Sequence, residues 1–182
     1  YRNVPPLYGT IELVGADDLA NADGVTLNLF QGVLKPDVGG QGLIAPGQTF
    51  YYDYEGPVSA VENVSIIDGE VHAGPVYFEL PIDILDAYFI LKVREGRLRF
   101  RIEEDGTLHG VLGGVFSVSE VLEELYQTNA AAEAYLVTPI FEDNADVGPP
   151  VDGVCDLFSV AFGFEGTTSW VVRYPDGESV SE

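Results

Sequence analysis

The sequence predicts a mainly β fold: a single-domain antiparallel β-sandwich or barrel with one amphipathic α-helix packed on it. Apolar and polar residues alternate with a period of two along most of the chain, which is the pattern of half-buried strands. These stretches are rich in β-branched and aromatic residues, and turn signals with glycine or proline separate them every ten residues or so. The chain has 182 residues without an obvious internal boundary, so residues 1–182 are expected to form one domain.

The predicted strands follow from this alternation. An acidic, glycine-containing turn at 15–24 separates the first two, and a glycine-rich loop at 36–47 follows them. The predicted strands are Leu7–Val14, Val25–Phe30, Thr49–Tyr54, Val58–Ile67, Val71–Ile84, Ala87–Val93, Asp156–Phe164 and Thr167–Tyr174.

One segment has helical rather than strand periodicity. Ser117-Val118-Ser119-Glu120 fits a capping box, in which the Ser117 hydroxyl and the Glu120 carboxylate each bond a free backbone amide. Apolar residues then recur at helical spacing. We expect a helix over 118–134 with one face on the sheet.

Five of the eight basic residues are concentrated between Ala87 and Ile102. A two-residue turn at Glu95-Gly96 would make this segment a hairpin and place all five on one face. Like charges on facing strands destabilise a sheet, so this face needs anions nearby. We favour neutralisation by the chain's own acids; the alternative is a docking surface for an anionic partner. The five residues, called the cationic face below, are Lys92, Arg94, Arg97, Arg99 and Arg101.

Two groups of acids and amides have the oxygen ligands that calcium prefers. The first lies between Asp17 and Gly24. The second, the more favoured, consists of Asp143, Asn144, Asp146, Asp152 and Asp156. Neither matches the EF-hand pattern, and turns are rich in such residues for reasons of backbone geometry. Calcium is the candidate cofactor. Zinc is disfavoured, because one cysteine and two separated histidines do not form a zinc ligand set.

Charge and motifs exclude several functions. Thirty acidic against eight basic residues give a net charge of −22, which repels nucleic acids and anionic lipid surfaces. No apolar run approaches the roughly 20 residues that cross a bilayer. No nucleophile motif is present, so we do not expect an enzyme.

Three tyrosines lie close together in the sequence at Tyr51, Tyr52 and Tyr54. They form either an aromatic ligand platform or, as we favour, the cover of a sheet face.

The second half of the chain resembles known proteins. The segment Asp105–Gly114, followed by the capped helix, resembles an element of uncharacterised exported proteins from myxobacteria and related bacteria. The ending Cys155–Phe164, preceded by Ala145-Asp146, is similar to the closing element of the same proteins. The resemblance covers residues 71–172, although Gly148-Pro149-Pro150 stands where a more acidic turn is expected. It implies an extracytoplasmic β-rich domain (periplasmic, outer-membrane surface or secreted) without an established activity.

These inferences combine into one expected function and one alternative. The expected function is a non-catalytic, exported structural or interaction domain, an accessory subunit of a larger envelope or extracellular assembly, with the cationic face as its best candidate contact. The alternative is a calcium-dependent, lectin-like module that binds carbohydrate. We expect the chain to be the mature part of a longer exported precursor, because it opens with Tyr1 and contains no methionine.

Overall fold

The computed structural model describes residues 9–31, 36–40, 44–54, 56, 58–84, 87–127, 131–148 and 155–173. It confirms the mainly β prediction. The described strands are β1 (Thr10–Val14), β2 (Ala22–Phe30), β3 (Gln48–Tyr51), β4 (Ser59–Ile67), β5 (Glu70–Ile84), β6 (Ala87–Ile102), β7 (Leu108–Ser117), β8 (Leu157–Gly166) and β9 (Ser169–Val172). The helices are α1 (Val118–Gln127) and α2 (Ala131–Asn144).

Seven strands form one curled antiparallel sheet in the order β1-β2-β4-β5-β6-β7-β8. Its curl is evident from Phe78 on β5 and Phe162 on β8, whose ring centroids lie 6.5 Å apart although two strands separate them in the sheet. A short parallel pair, β3 with β9, lies outside this sheet. Most buried apolar side chains of the described residues form one core cluster, as expected for a single barrel-like or sandwich domain. Phe30 and Phe50 are buried outside this cluster.

The predicted turn at Glu95-Gly96 is wrong. β6 is one continuous strand that pairs with β5 on one side and β7 on the other, and both registers shift at Glu95-Gly96. Glu95 has a φ of 52°, and the two residues form a β-bulge rather than a chain reversal. The extra residue reverses the inward–outward alternation, so Val93 and Leu98 are both buried although five positions separate them.

The single predicted helix is also corrected. α1 ends at Gln127, and a second helix, α2, extends to Asn144, well beyond the predicted end. α2 carries apolar residues on both its inner and outer sides, so it lacks the one-sided pattern that identifies an amphipathic helix. Pro139 also lies within α2, although proline removes a backbone donor and is unfavourable inside helices. Among the described residues, no helix is long and apolar enough to cross a membrane.

An ion pair connects the first strand to the segment after the last one. The Arg173 guanidinium donates to both carboxylate oxygens of Glu12, at 2.6 and 2.7 Å, and also lies over the rings of Phe30 and Tyr52. The hydrogen bond from Arg173 is the main reason why the pKa of Glu12 is lowered, against the opposing effect of burial. The pair therefore joins chain segments that are 161 positions apart.

We expect Glu12→Gln to destabilise the fold at neutral pH and to have little effect in acid. Because the pKa of Glu12 is lower in the folded state, its stabilisation is present above the unfolded-state value of about 4.3 and is lost as the pH falls through the folded-state value. Urea unfolding midpoints of both proteins at neutral pH and at decreasing acidic pH test this. Glu104→Gln, at an exposed turn, controls for the loss of one negative charge. A Glu12→Gln deficit that persists unchanged at the lowest pH would contradict the assignment.

Candidate functional site

The cationic face exists, but the bulge rather than a hairpin creates it. Arg97, Arg99 and Arg101 are exposed after the bulge, and Lys92 and Arg94 are partly exposed before it. The intervening apolar residues Leu91, Val93, Leu98 and Phe100 are buried on the opposite face. The predicted grouping of five basic residues therefore agrees with the burial pattern, although the predicted turn does not.

Acids of the same chain pair with most of this face. Glu70 on β5 accepts a hydrogen bond from Arg99 Nε at 2.9 Å, lies 2.6 Å from His72 Nε2 and is 3.9 Å from Arg101. The hydrogen bonds from His72 and then Arg99 hold the pKa of Glu70 below its usual range. Arg101 also donates to the Asp68 carbonyl at 3.0 Å. Glu70 thus pairs with two of the three arginines after the bulge.

A second acid pairs with the face before the bulge. Arg94 donates to both carboxylate oxygens of Glu120 on α1, at 2.8 and 3.0 Å. Lys92, Glu120 and Glu124 line the same small surface depression, without an ion pair to Lys92 among the described residues. Arg97 has no ion pair among the residues that the structure describes. Glu70 and Glu120 thus pair with three of the five basic residues, and docking of an anionic partner on this face stays a prediction.

The second predicted calcium cluster is divided among separate structural roles. Asp143 and Asn144 are the last residues of α2, where the Asn144 side chain donates to the Ile140 carbonyl. Asp146 accepts hydrogen bonds from the hydroxyl and the amide of Ser159, at 2.6 and 2.8 Å, and these bonds lower its pKa. Asp152 lies outside the described residues. Within the described part of the chain, no three His, Cys, Asp or Glu side chains are grouped to hold a metal, and calcium binding stays a prediction.

Asp156, the last member of that cluster, caps α1. Its carboxylate accepts from the Ser117 hydroxyl at 2.8 Å and from the Ser119 amide at 3.1 Å, and its carbonyl accepts from the Val118 amide. Ser117 also accepts from the Glu120 amide at 3.2 Å, as the capping box predicted. The Glu120 carboxylate was predicted to accept from a free backbone amide, but it accepts from the Arg94 guanidinium instead. A residue from the start of β8 therefore completes the cap.

The other candidates also have structural contacts. In the first acidic turn, Asp18 accepts from the Ala20 amide and Asp23 accepts from the Ser65 hydroxyl. Tyr52 packs against Phe30 and Tyr54, with ring centroids 4.8 and 4.9 Å away. Tyr52 is thus enclosed by neighbours rather than presented as a flat platform.

The sequence reasoning missed an apolar surface on the two helices. Tyr135, Leu136 and Ile140 on the outer side of α2 are 75%, 59% and 58% exposed, and Tyr126 on α1 is 53% exposed. On α2, Leu136 and Ile140 are one turn apart and share a face. The Tyr126 hydroxyl lies 3.2 Å from the Thr138 hydroxyl, so α1 and α2 also contact each other near Thr138. The detectable signal was the density of apolar residues between 134 and 141, too high for a helix with one buried side. We call these four residues the helical patch.

Comparison of the chain with protein-family profiles, with curated proteins and with solved structures finds no match in any of the three. The function is therefore inferred from the geometry of this chain.

Proposed function

We propose that this chain is a non-catalytic, exported interaction domain that docks a protein partner through the helical patch, as an accessory subunit of a larger envelope or extracellular assembly. The observation that supports this most directly is the exposure of three large apolar side chains on one side of α2. Large apolar surface is uncommon on proteins that act alone and is typical of contact sites, and the joint exposure of Leu136 and Ile140, one turn apart, supports such a site here.

The inner side of α2 already fulfils the helix's role in the fold. Ala134 is fully buried, and Val137 and Phe141 pack against the core. The Phe141 ring meets Phe116 and Phe158 at centroid distances of 5.7 and 6.0 Å. The outer apolar side is therefore not needed to hold α2 on the sheet. A helix with apolar residues on both sides is usually covered on both, which a partner would achieve here.

The acidic residues of α1 and α2 indicate which kind of partner the helical patch would bind. Residues 118–144 contain six acidic residues and no basic one, and Glu123, Glu142 and Asp143 are exposed around the helical patch. A surface with an apolar centre and an acidic rim complements an apolar ridge flanked by lysine or arginine. A second copy of this chain fits poorly, because two molecules with a net charge of −22 repel each other.

Site-specific photo-crosslinking tests the proposal. Benzoylphenylalanine replaces Tyr135 in the cells that produce the chain, and a matched control carries it at Ile67, which is 65% exposed on β4. We expect one saturable adduct from position 135 and none of that mass from position 67. Mass spectrometry of the adduct should identify a partner peptide rich in lysine or arginine.

A second variant separates docking from folding. Leu136→Asp combined with Ile140→Asp should abolish the adduct at position 135 while the unfolding midpoint stays close to that of the parent, because both side chains are largely exposed. The proposal is wrong if the adduct survives this change, if position 67 gives the same adduct, or if the captured protein is an acidic chain or a second copy.

A further inference from the structure

The concave side of the curled sheet contains a cavity that the docking function does not use. Its volume is about 290 Å³. β5 to β8 line one side of it, and β1, β2 and the segment around β3 line the other. Exposed Glu165 and Ser169 lie at its rim, while Phe78 and Leu98 in its wall are almost fully buried. The cavity therefore extends from the protein surface into the core.

The cavity wall is apolar and strongly aromatic. Aromatic and aliphatic side chains from β2, β5, β6, β7 and β8 face it, among them Leu29, Phe30, Phe78, Leu98, Leu112 and Phe162. Its polar groups include Gln31, Thr167 and Ser169. Glu79 and Glu165 are the charged side chains among the described lining residues, and no lysine or arginine is among these residues. Among the described lining residues, an anionic ligand would thus meet acids and neither lysine nor arginine.

The size of the cavity indicates the size of the ligand. Protein interiors are normally packed with few voids larger than a water molecule, so an apolar space of this volume forgoes many favourable contacts. An apolar cavity of about 150 Å³ accommodates benzene. A cavity of about 290 Å³ therefore has room for a molecule of roughly twice that size.

We infer that this cavity binds an uncharged, largely apolar small molecule of about two fused rings or equivalent bulk, with a hydroxyl or carbonyl group directed towards Thr167 and Ser169. The aromatic wall supplies the contact area, and the hydroxyls at one end supply orientation. Acidic side chains near the rim and the net charge of −22 disfavour carboxylates, sulfates and phosphates. This site is distinct from the helical patch, and neither proposal depends on the other.

The probe is 2-naphthol, a fluorescent two-ring molecule that is uncharged at neutral pH. Its anionic counterpart is 2-naphthoate, which has the same rings and a carboxylate. Fluorescence titration of the full chain should show saturable 1:1 binding of 2-naphthol. Binding of 2-naphthoate should be weaker by about tenfold or more, because the site would bury an unpaired negative charge. Ligand binding should also raise the unfolding midpoint.

Two adjacent residues of β7 provide matched variants. Leu112 lines the cavity, whereas Val111 is 51% exposed on the other face of the sheet. Leu112→Trp fills the cavity and should weaken 2-naphthol binding by about tenfold or more, while Val111→Trp should leave it within about twofold. If Leu112→Trp fails to fold, Leu112→Phe adds less volume and should give a smaller loss of the same sign.

Three outcomes would overturn this inference. They are the absence of saturable 2-naphthol binding, equally strong binding of 2-naphthoate, and an equal loss of 2-naphthol binding in the Val111 and Leu112 variants. The first would show that the cavity does not accept such a molecule, and the other two would place the probe on the protein surface. None of these results bears on crosslinking at the helical patch.

Discussion

Gly110→Ala is expected to destabilise the domain by about 3 kcal/mol, the upper end for overpacking in a tight core. Gly110 on β7 lies between Phe100 on β6 and Phe164 on β8, directly opposite both in the strand registers. A Cβ atom at this position would lie 2.6 Å from the Arg99 carbonyl oxygen, from Phe100 Cβ and from Phe164 Cζ. Two of these atoms belong to the backbone or its first side-chain carbon, so the neighbouring strand itself would have to move.

The matched control is Gly163→Ala on β8, whose added Cβ would have no atom within 4 Å. This change should leave stability unchanged or raise it by about 0.5–1 kcal/mol, because alanine loses less backbone entropy than glycine on folding. Urea unfolding followed by circular dichroism measures both. Similar results for the two variants would show that Phe100 and Phe164 do not close over Gly110 as described.

Leu125→Ala should have the second large effect, a loss of about 2–5 kcal/mol. Leu125 is 1% exposed and belongs to the core cluster together with Val121 and Leu122 of α1. Removing its side chain leaves a cavity between α1 and the sheet that the surrounding strands cannot fill. The experiment is equilibrium unfolding in urea of the variant and the parent.

The control on the same helix is Glu123→Ala. Glu123 is exposed and accepts a hydrogen bond from Gln127 one turn later, a contact worth about 0.2–0.5 kcal/mol. If Leu125→Ala costs no more than Glu123→Ala, then α1 is an appendage and not part of the core. The comparison also matters for the proposed docking, since α1 and α2 must be held firmly for the helical patch to keep its shape.

The parts of the fold that follow from local sequence were predicted well. Period-two alternation identified most of the main-sheet strands, and the capping residue Ser117 placed the start of α1 correctly. The five basic residues were predicted to share a face through a hairpin turn at Glu95-Gly96, whereas a bulge in a continuous strand gives them a similar burial pattern. These features depend on neighbours within a few residues, which the sequence displays directly.

The errors occurred where one local pattern permits two structures. A residue with positive φ before a glycine suits both a tight turn and a bulge, and only pairing of β6 with β5 and β7 selects the bulge. The role of Asp156 could not be predicted either, because the helix that it caps begins at Val118, far earlier in the chain. An acid in a glycine-rich segment looks the same whether it binds a cation or a helix end.

The sequence by itself determined the β class, most of the main-sheet strands, the start of α1 and the acidic charge of this protein. Only the tertiary structure decided that Leu108–Ser117 is a strand of the main sheet, which acids pair with the cationic face, where α2 leaves an apolar side uncovered, and that the curled sheet encloses a cavity. The physical reason is the separation along the chain of the residues that interact. Adjacent residues set the periodicity of strands and helices. Ion pairs such as Arg94–Glu120 need segments that are distant in the sequence and close in the fold, and the same holds for covered surfaces and cavities.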